Sequence, residues 1–387
     1  MEKKQILVTG GAGYIGAITT KKLIENGFDV VVLDSLENGH KEAVHPAAKL
    51  EIADLGDIAA LNRIFAENKF DGVIDFAAYL AVGESMENPK KYLLNNVINF
   101  INLLDAMANA GCRHIIKSST AAVYGNPANP KDFPLTETYI DRFEPEISAL
   151  LPGTFNGEQI SKDDLFDRII ANYHEMIGSR LELHLDNVEL AKLKIPTSVY
   201  GLTKLLDEIL LKKYDKLQNV KSISLRYFNV AGAEPDGNMG EDKPNPTNLM
   251  TVAIYSALGK FPELKVFGND YETKDGTGIR DYIHVSDLAE GHVKALSHLL
   301  QSSRTDVFNL GTGKGSSVLE VIDTINQASG QTLQYSISSR RSGDPAISYA
   351  NVDKAHQILN WEAKYSLLDM ATTAWKWHKS HPDGYSQ

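Results

Sequence analysis

Tyr200 and Lys204 stand four positions apart in "PTSVYGLTK" (196–204). That spacing sets both side chains on one face of a helix. An ammonium near a phenol favours the phenolate and draws its pKa down from about 10, which suits a general base. A pair of this kind also arises by chance in a chain of 387 residues. Its candidate hydroxyl partner, Thr120 in "SSTAAVYG" (118–125), lies eighty positions upstream. A second group of residues sits near the start. "VTGGAGYIG" places Gly10, Gly13 and Gly16 between an apolar run and an amphipathic stretch. The first glycine permits a tight turn, the second lets backbone N–H groups approach a pyrophosphate, and the helix start adds partial positive charge. Asp34 follows Gly16 by eighteen residues, at the end of the next apolar run. A carboxylate there accepts adenosine ribose hydroxyls and repels a 2′-phosphate, selecting NAD over NADP.

Positioning these residues requires a sheet. "QILVT" (5–9), "VVVL" (30–33), "GVIDF" (72–76), "HIIKSS" (114–119) and "SISLRYF" (222–228) read as buried strands. Between them, 15–26, 58–68, 92–110 and 200–217 carry apolar residues at helical spacing, with Leu202, Leu205, Leu206, Ile209 and Leu210 as one stripe. This alternation predicts an α/β fold: a Rossmann-type doubly wound parallel sheet over 1–229, with a stretch at 284–300 packing back on it. After Asn229 the chain turns Pro- and Gly-rich ("AEPDGNMGEDKPNPTN"), which predicts a smaller α/β domain over 230–387. Residues 143–195 interrupt the alternation. Ser161 and Asp164 suggest a cap, Leu165, Ile169, Ile170, Tyr173, Met176 and Ile177 follow a helical period to Gly178, and a second amphipathic run covers 186–193. A structured helical insertion is expected, acting as a lid, as an oligomer surface, or as a neutral decoration.

Bulk properties narrow the function. With 43% hydrophobic residues the chain can bury a sizeable core. A net charge of −11 and a pI near 5.5 provide no overall positive field for nucleic acid. Cys112 is the single cysteine, so no intrachain disulfide and no multi-thiolate metal centre can form, which fits a reducing compartment. Without an apolar run of membrane-spanning length or a leader-like start, a cytoplasmic location with no membrane partner is expected. No metal is expected.

Taken in order, "TGGAGYIG", "LDSLENGH", "FAAYLAVGES", "NNVINFINLLDAM", "SSTAAVYG", "YGLTK", "RYFNVAGAEPDGNMGED", "FGNDYETKDGTGIRDYIHVSDLAEGHV", "NLGTGKGSSV", "RRSGDPA" and "HPDGY" closely resemble the UDP-glucose 4-epimerases of the extended short-chain dehydrogenase/reductase family. The resemblance spans nearly the whole chain outside 143–195. It implies Tyr200 as base, Lys204 as its tuner and nicotinamide-ribose ligand, and Thr120 as a relay to the sugar 4-hydroxyl or its hydrogen-bond partner. It implies NAD held by Gly10, Gly13, Tyr14, Ile15, Gly16, Asp34, Ser35, Asn38, Gly39, Asp54, Leu55, Phe76, Ala77, Ala78, Asn95, Thr120, Tyr200, Lys204 and Phe228. A UDP-sugar would meet Thr120, Tyr200, Asn229, Asn248, Leu249, Phe267, Arg280, Arg341, Asp344 and Ser348, with both arginines on the diphosphate and Asp344 on ribose hydroxyls. The resemblance further implies a homodimer built on 92–110 and 200–217, next to the insertion.

Three departures stand out. Leu80 replaces a lysine near the nicotinamide ribose. Ser348 stands where some epimerases carry a bulky aromatic, leaving room for an N-acetyl group and implying UDP-N-acetylglucosamine and UDP-N-acetylgalactosamine as further substrates. The third is the insertion. Among rival readings, a 4,6-dehydratase would need Asp-Glu after the threonine, where this chain has Ala121 and Ala122. A uronate-specific relative would need a cation that the sequence does not locate. An inactive NAD-binding regulator would be expected to lose the tyrosine or the lysine, and both are kept here with Thr120.

Overall fold

The computed structural model describes residues 3–127, 129–141, 196–243, 245–341 and 344–385, so the insertion expected at 143–195 lies outside the described residues. The first half runs β1 (Gln5–Thr9), α1 (Tyr14–Glu25), β2 (Asp29–Asp34), β3 (Lys49–Ile52), α2 (Ile58–Glu67), β4 (Gly72–Asp75), α3 (Val82–Glu87), α4 (Pro89–Tyr92), α5 (Asn99–Ala110) and β5 (His114–Thr120). It continues through α6 (Val199–Gln218), β6 (Lys221–Tyr227), β7 (Asn229–Ala231), α7 (Leu249–Ala257), β8 (Leu264–Phe267), β9 (Ile279–His284) and α8 (Val285–Ser302). The remainder is β10 (Asp306–Leu310), β11 (Gly315–Ser317), α9 (Val318–Ser329), β12 (Tyr335–Ser338), β13 (Ile347–Ser348), α10 (Asp353–Leu359) and α11 (Leu367–Ser380).

Seven strands form one parallel sheet in the order β10-β6-β5-β4-β1-β2-β3. The strand order reverses between β1 and β4, and a crevice at the carboxyl ends of the strands opens at such a point. Both sheet faces are buried, which accounts for the near-continuous apolar runs. In β1, Leu7 packs with residues of α2, α5 and α6, whereas Ile6 and Val8 pack with Leu288, Leu296 and Leu299 of α8. Fully burying one such side chain contributes about 1.5–3 kcal/mol. Leu206, at 0% exposure on α6, is a sensitive position. Truncating it to alanine would cost about 2–5 kcal/mol.

Beyond Asn229 the chain returns to the first sheet twice, the first time in the stretch 284–300. α8 lies in the core beneath the sheet, and β10, read from sequence as part of the second domain, is the sheet's edge strand beside β6. The smaller unit has a four-stranded sheet, with β11, β13 and β7 all pairing with β9, and a β12-β8 pair. α7, α9 and α11 pack through Ile254, Ile322, Ile325 and Met370. The helix read over 92–110 is not uniform: a π-helical turn, Leu93–Ile98, separates α4 from α5.

Candidate active site

Ser198 caps α6 by accepting from Gly201 N at 3.0 Å, which starts the helix one residue before Tyr200. Gly201 then allows a close approach: a Cβ there would lie 2.6 Å from Ala122 O, in the 3-10 turn Ala121–Tyr124 that follows β5. Further contacts hold this first turn. Tyr200 N donates to Ser85 Oγ at 3.1 Å, and Asn96 of the π turn donates to Thr203 Oγ1 at 3.2 Å. One turn on, Arg226 of β6 grips Glu208 through Nε at 3.0 Å and Nη2 at 2.6 Å, and Ser119 Oγ donates to the same carboxylate at 2.5 Å. These contacts bring the Thr120 hydroxyl near enough to the Tyr200 phenol, across eighty positions of sequence, to favour its phenolate.

The electrostatics differ from the sequence expectation. Burial pushes the Tyr200 phenol up to about 12, against the lowering effects of its Thr120 hydrogen bond and of Lys117. Lys204 lies one helical turn after Tyr200. Its ammonium turns to Ser118, donating to the carbonyl at 3.0 Å and Oγ at 3.1 Å, and burial with the nearby Lys117 charge lowers it to about 7. Burial is the largest influence on the phenol, and the lowering expected from Lys204 is one that acts together with a positive nicotinamide.

Lys117, Asp75 and Asp207 escaped the sequence reading. The Lys117 ammonium lies 2.5 Å from Asp75 Oδ2 and 2.9 Å from Asp207 Oδ2, and all three side chains are buried. The Asp207 contact is an ion pair outside hydrogen-bond geometry, so neither Asp207 oxygen has a hydrogen-bond partner. Charges inside "GVIDF" and "HIIKSS", strands covered on both faces, were the available signal.

At the switch point, Gly10 adopts φ +69°. A Cβ there would meet Ala77 N at 2.8 Å and Phe76 C at 2.9 Å, so the turn after β1 lies tight against the end of β4 and only glycine fits. Asp34 is fixed at the end of β2 by Ala12 N and Leu36 N, each at 2.9 Å, and Ser35, Asn38 and Gly39 follow it in the chain. Asp54 accepts from Gly56 N at 2.6 Å, and Leu55 O accepts from Asn102 at 3.0 Å. Ala77 N donates to Asp75 at 3.2 Å, with Ala78 beyond it, and Asn95 donates to Asn96 at 3.1 Å. Phe228 is buried, its ring stacked on Tyr124, and Tyr14, on the first turn of α1 with Ile15 and Gly16, donates to Gly232 O at 2.6 Å. Glycine turn, helix start and terminal carboxylate are a donor set that fits a dinucleotide such as NAD. Leu80 is exposed and offers no charge to it.

A second cluster lies on the smaller unit. Arg280 Nη2 is 3.8 Å from Asp344 Oδ1, Arg341 stacks on Phe267 at 3.9 Å, and Ser348 pairs with Arg280 across β13 and β9. Asn229 pairs with Tyr282 two residues beyond Arg280, tying this cluster to the end of β6. Asn248 is already committed: it caps α7 through Thr251 N at 2.9 Å and donates to Glu241 at 2.5 Å, with Leu249 opening the helix.

The sequence model of the NAD dependent epimerase/dehydratase family matches residues 6–145 and 174–311. A UDP-glucose 4-epimerase of Bacillus subtilis (strain 168) is 40% identical over 390 residues, covering 98% of each chain. The solved UDP-glucose 4-epimerase from Bifidobacterium longum, in complex with NAD+ and UDP, superposes with a TM-score of 0.79 at 34% identity, over 98% of this chain and 100% of that one. The UDP-Glc/GlcNAc 4-epimerase of Campylobacter jejuni gives a TM-score of 0.72 at 33% identity, over 97% and 99%. With a glycine turn and a Thr-Tyr-Lys set at the carboxyl ends of the sheet, and relatives alike over nearly its whole length, the chain belongs to the NAD dependent epimerase/dehydratase family.

Proposed function

We propose that the chain interconverts UDP-galactose and UDP-glucose by 4-epimerisation, with tightly bound NAD. The observation that carries this reading is the contact of Thr120 with Tyr200, one helical turn from Lys204, at the sheet end that also bears the glycine turn. Tyr200 accepts the proton of the sugar 4-hydroxyl, with Thr120 holding that hydroxyl by hydrogen bonding. NAD supplies a reversible hydride acceptor and a positive ring that favours the phenolate. Lys204 carries the charge that complements that phenolate and meets the nicotinamide ribose. Tyr200 then returns the proton once the 4-ketose has presented its other face, so no net oxidation results. Arg280 and Arg341 hold the diphosphate and Asp344 the ribose, with Phe267, Asn229, Asn248 and Leu249 around the nucleotide, while the sugar is left free to turn. The cofactor would be held by Gly10, Gly13, Asp34, Asp54, Phe76, Asn95, Phe228 and their neighbours named above. Turnover of UDP-galactose by the purified chain without added NAD tests the reading, and a chain that binds NAD without turnover would overturn it.

The short Ser348 side chain beside Arg280 favours a wider substrate range that includes the N-acetylated UDP-hexoses. Comparing turnover of UDP-galactose with that of UDP-N-acetylgalactosamine decides this, and undetectable N-acetyl turnover would exclude it. A homodimer in the cytoplasm completes the proposal. The dimer would use a surface other than the apolar stripes of α5 and α6, because Leu103, Met107, Leu205, Leu206, Ile209 and Leu210 are all buried within the protomer. A sedimentation mass equal to one chain would refute the dimer.

A further inference from the structure

The catalytic pair does not act on a neutral background. Thr9, Asp75 and Lys117 lie side by side in register on β1, β4 and β5, with Thr9 and Asp75 the last residues of their strands. Thr9 donates to Asp75, Asp75 binds Lys117 at 2.5 Å, and Phe100 of α5 covers the Lys117 ammonium at 3.7 Å from its ring centre. Lys117 directly precedes Ser118, which holds Lys204, and Asp207 lies one helical turn after Lys204 on α6. Burying four ionisable groups so close together is costly unless their charges balance. Two cations and two carboxylates do balance, and Lys117 links the two carboxylates, at 2.5 Å from Asp75 and 2.9 Å from Asp207.

We propose that Lys117, clamped between Asp75 and Asp207, is a positioning residue of the active site whose fixed charge, set against that of Asp207, governs when Tyr200 and Lys204 gain and lose protons. This rests on the epimerase reading and deepens it. The charged and titratable groups around the pair come from every element packed against it: Asp75 on β4, Tyr92 on α4 with its partner Glu84 on α3, Lys117 on β5, Asp207 and Glu208 on α6, and Tyr227 on β6. The Lys117 charge favours phenolate at Tyr200 and a neutral amine at Lys204, while Asp207 opposes it at both. Removing the cation therefore lets both groups keep their protons to higher pH. Removing the Asp207 carboxylate does the reverse.

The test is the pH profile of kcat for UDP-galactose in Lys117→Met and Asp207→Asn. Both limbs are expected to move together, upward by about one pH unit in the first and downward by about as much in the second. A purely structural role would lower the rate or the melting temperature in both without moving the limbs in opposite directions. Because Lys117→Met leaves two buried carboxylates and could fail to fold, Lys117→Met/Asp207→Leu removes opposite charges together. Its limbs should lie about one unit above those of Asp207→Asn. Unmoved limbs, or limbs that move the same way in both single variants, overturn the assignment. A folded wild-type chain with no turnover would instead overturn the proposed function.

Discussion

Replacing Gly201 with alanine is predicted to separate the two halves of the active site. The new Cβ would lie 2.6 Å from Ala122 O and 3.1 Å from Ala122 C, both backbone atoms, so no flexible side chain can yield. Ordinary contact begins at 3.4 Å, so the first turn of α6 and the segment after Thr120 must part by about 0.8 Å. A misplacement of about 1 Å can cost 100-fold in rate, so kcat should fall about 30- to 100-fold. Overpacking of this kind costs about 1–3 kcal/mol. Helix propensity alone predicts the opposite sign, since alanine is favoured over glycine within a helix by about 1 kcal/mol. Arg280 and Arg341 sit on the smaller unit, so KM for UDP-galactose should hardly change. Steady-state conversion of UDP-galactose with a parallel thermal melt reads both quantities. A folded Gly201→Ala chain with wild-type kcat and an unchanged or raised melting temperature would refute the reasoning.

Tyr200→Phe should lower kcat by about 100- to 10,000-fold, by loss of the proton acceptor, while the chain still releases NAD on denaturation. Arg341→Ala should raise KM for UDP-galactose about 10- to 100-fold with a smaller effect on kcat, since a charge-assisted contact of roughly 1.5–3 kcal/mol is lost. Ser348→Tyr should retain UDP-galactose turnover and lose at least about tenfold in N-acetyl turnover, because a buried ring takes up the space of the acetyl group. The His292 ring is buried and lowered to about 4, so the folded state stays unprotonated while the unfolded chain takes up a proton below about 6.5. Stability from this group is therefore present above that pH and lost as pH falls towards 4, by at most about 3 kcal/mol. His292→Leu should flatten the fall in unfolding free energy between those two pH values, and an unchanged slope would refute the assignment.

The parts of the fold that carry strong periodicity were readable from the chain. Continuous apolar runs gave β1, β2, β4, β5 and β6 within a residue or two, and the glycine turn and Asp34 fall where their chemistry requires. β3 was missed because "KLEI" alternates at a half-covered edge, and β10 because it follows the compositional change near Asn229 and returns to the first sheet from there. The π turn at Leu93–Ile98 has the same apolar spacing as an α-helix and leaves no local mark. Pairing Tyr200 with Thr120 was legible through the order of motifs. The means of that pairing was not, because it rests on Gly201 meeting Ala122, a contact between segments far apart in sequence. Lys117, Asp75 and Asp207 were in plain view as charges inside apolar elements, but their mutual contact is tertiary.

The central claim is that this chain uses a resident NAD to invert C4 of a UDP-hexose without net oxidation. Purified protein, never exposed to added cofactor, should release close to one NAD per chain on denaturation. The same preparation should convert UDP-galactose to UDP-glucose. Protein that folds, carries its NAD and leaves UDP-galactose unchanged would contradict the account.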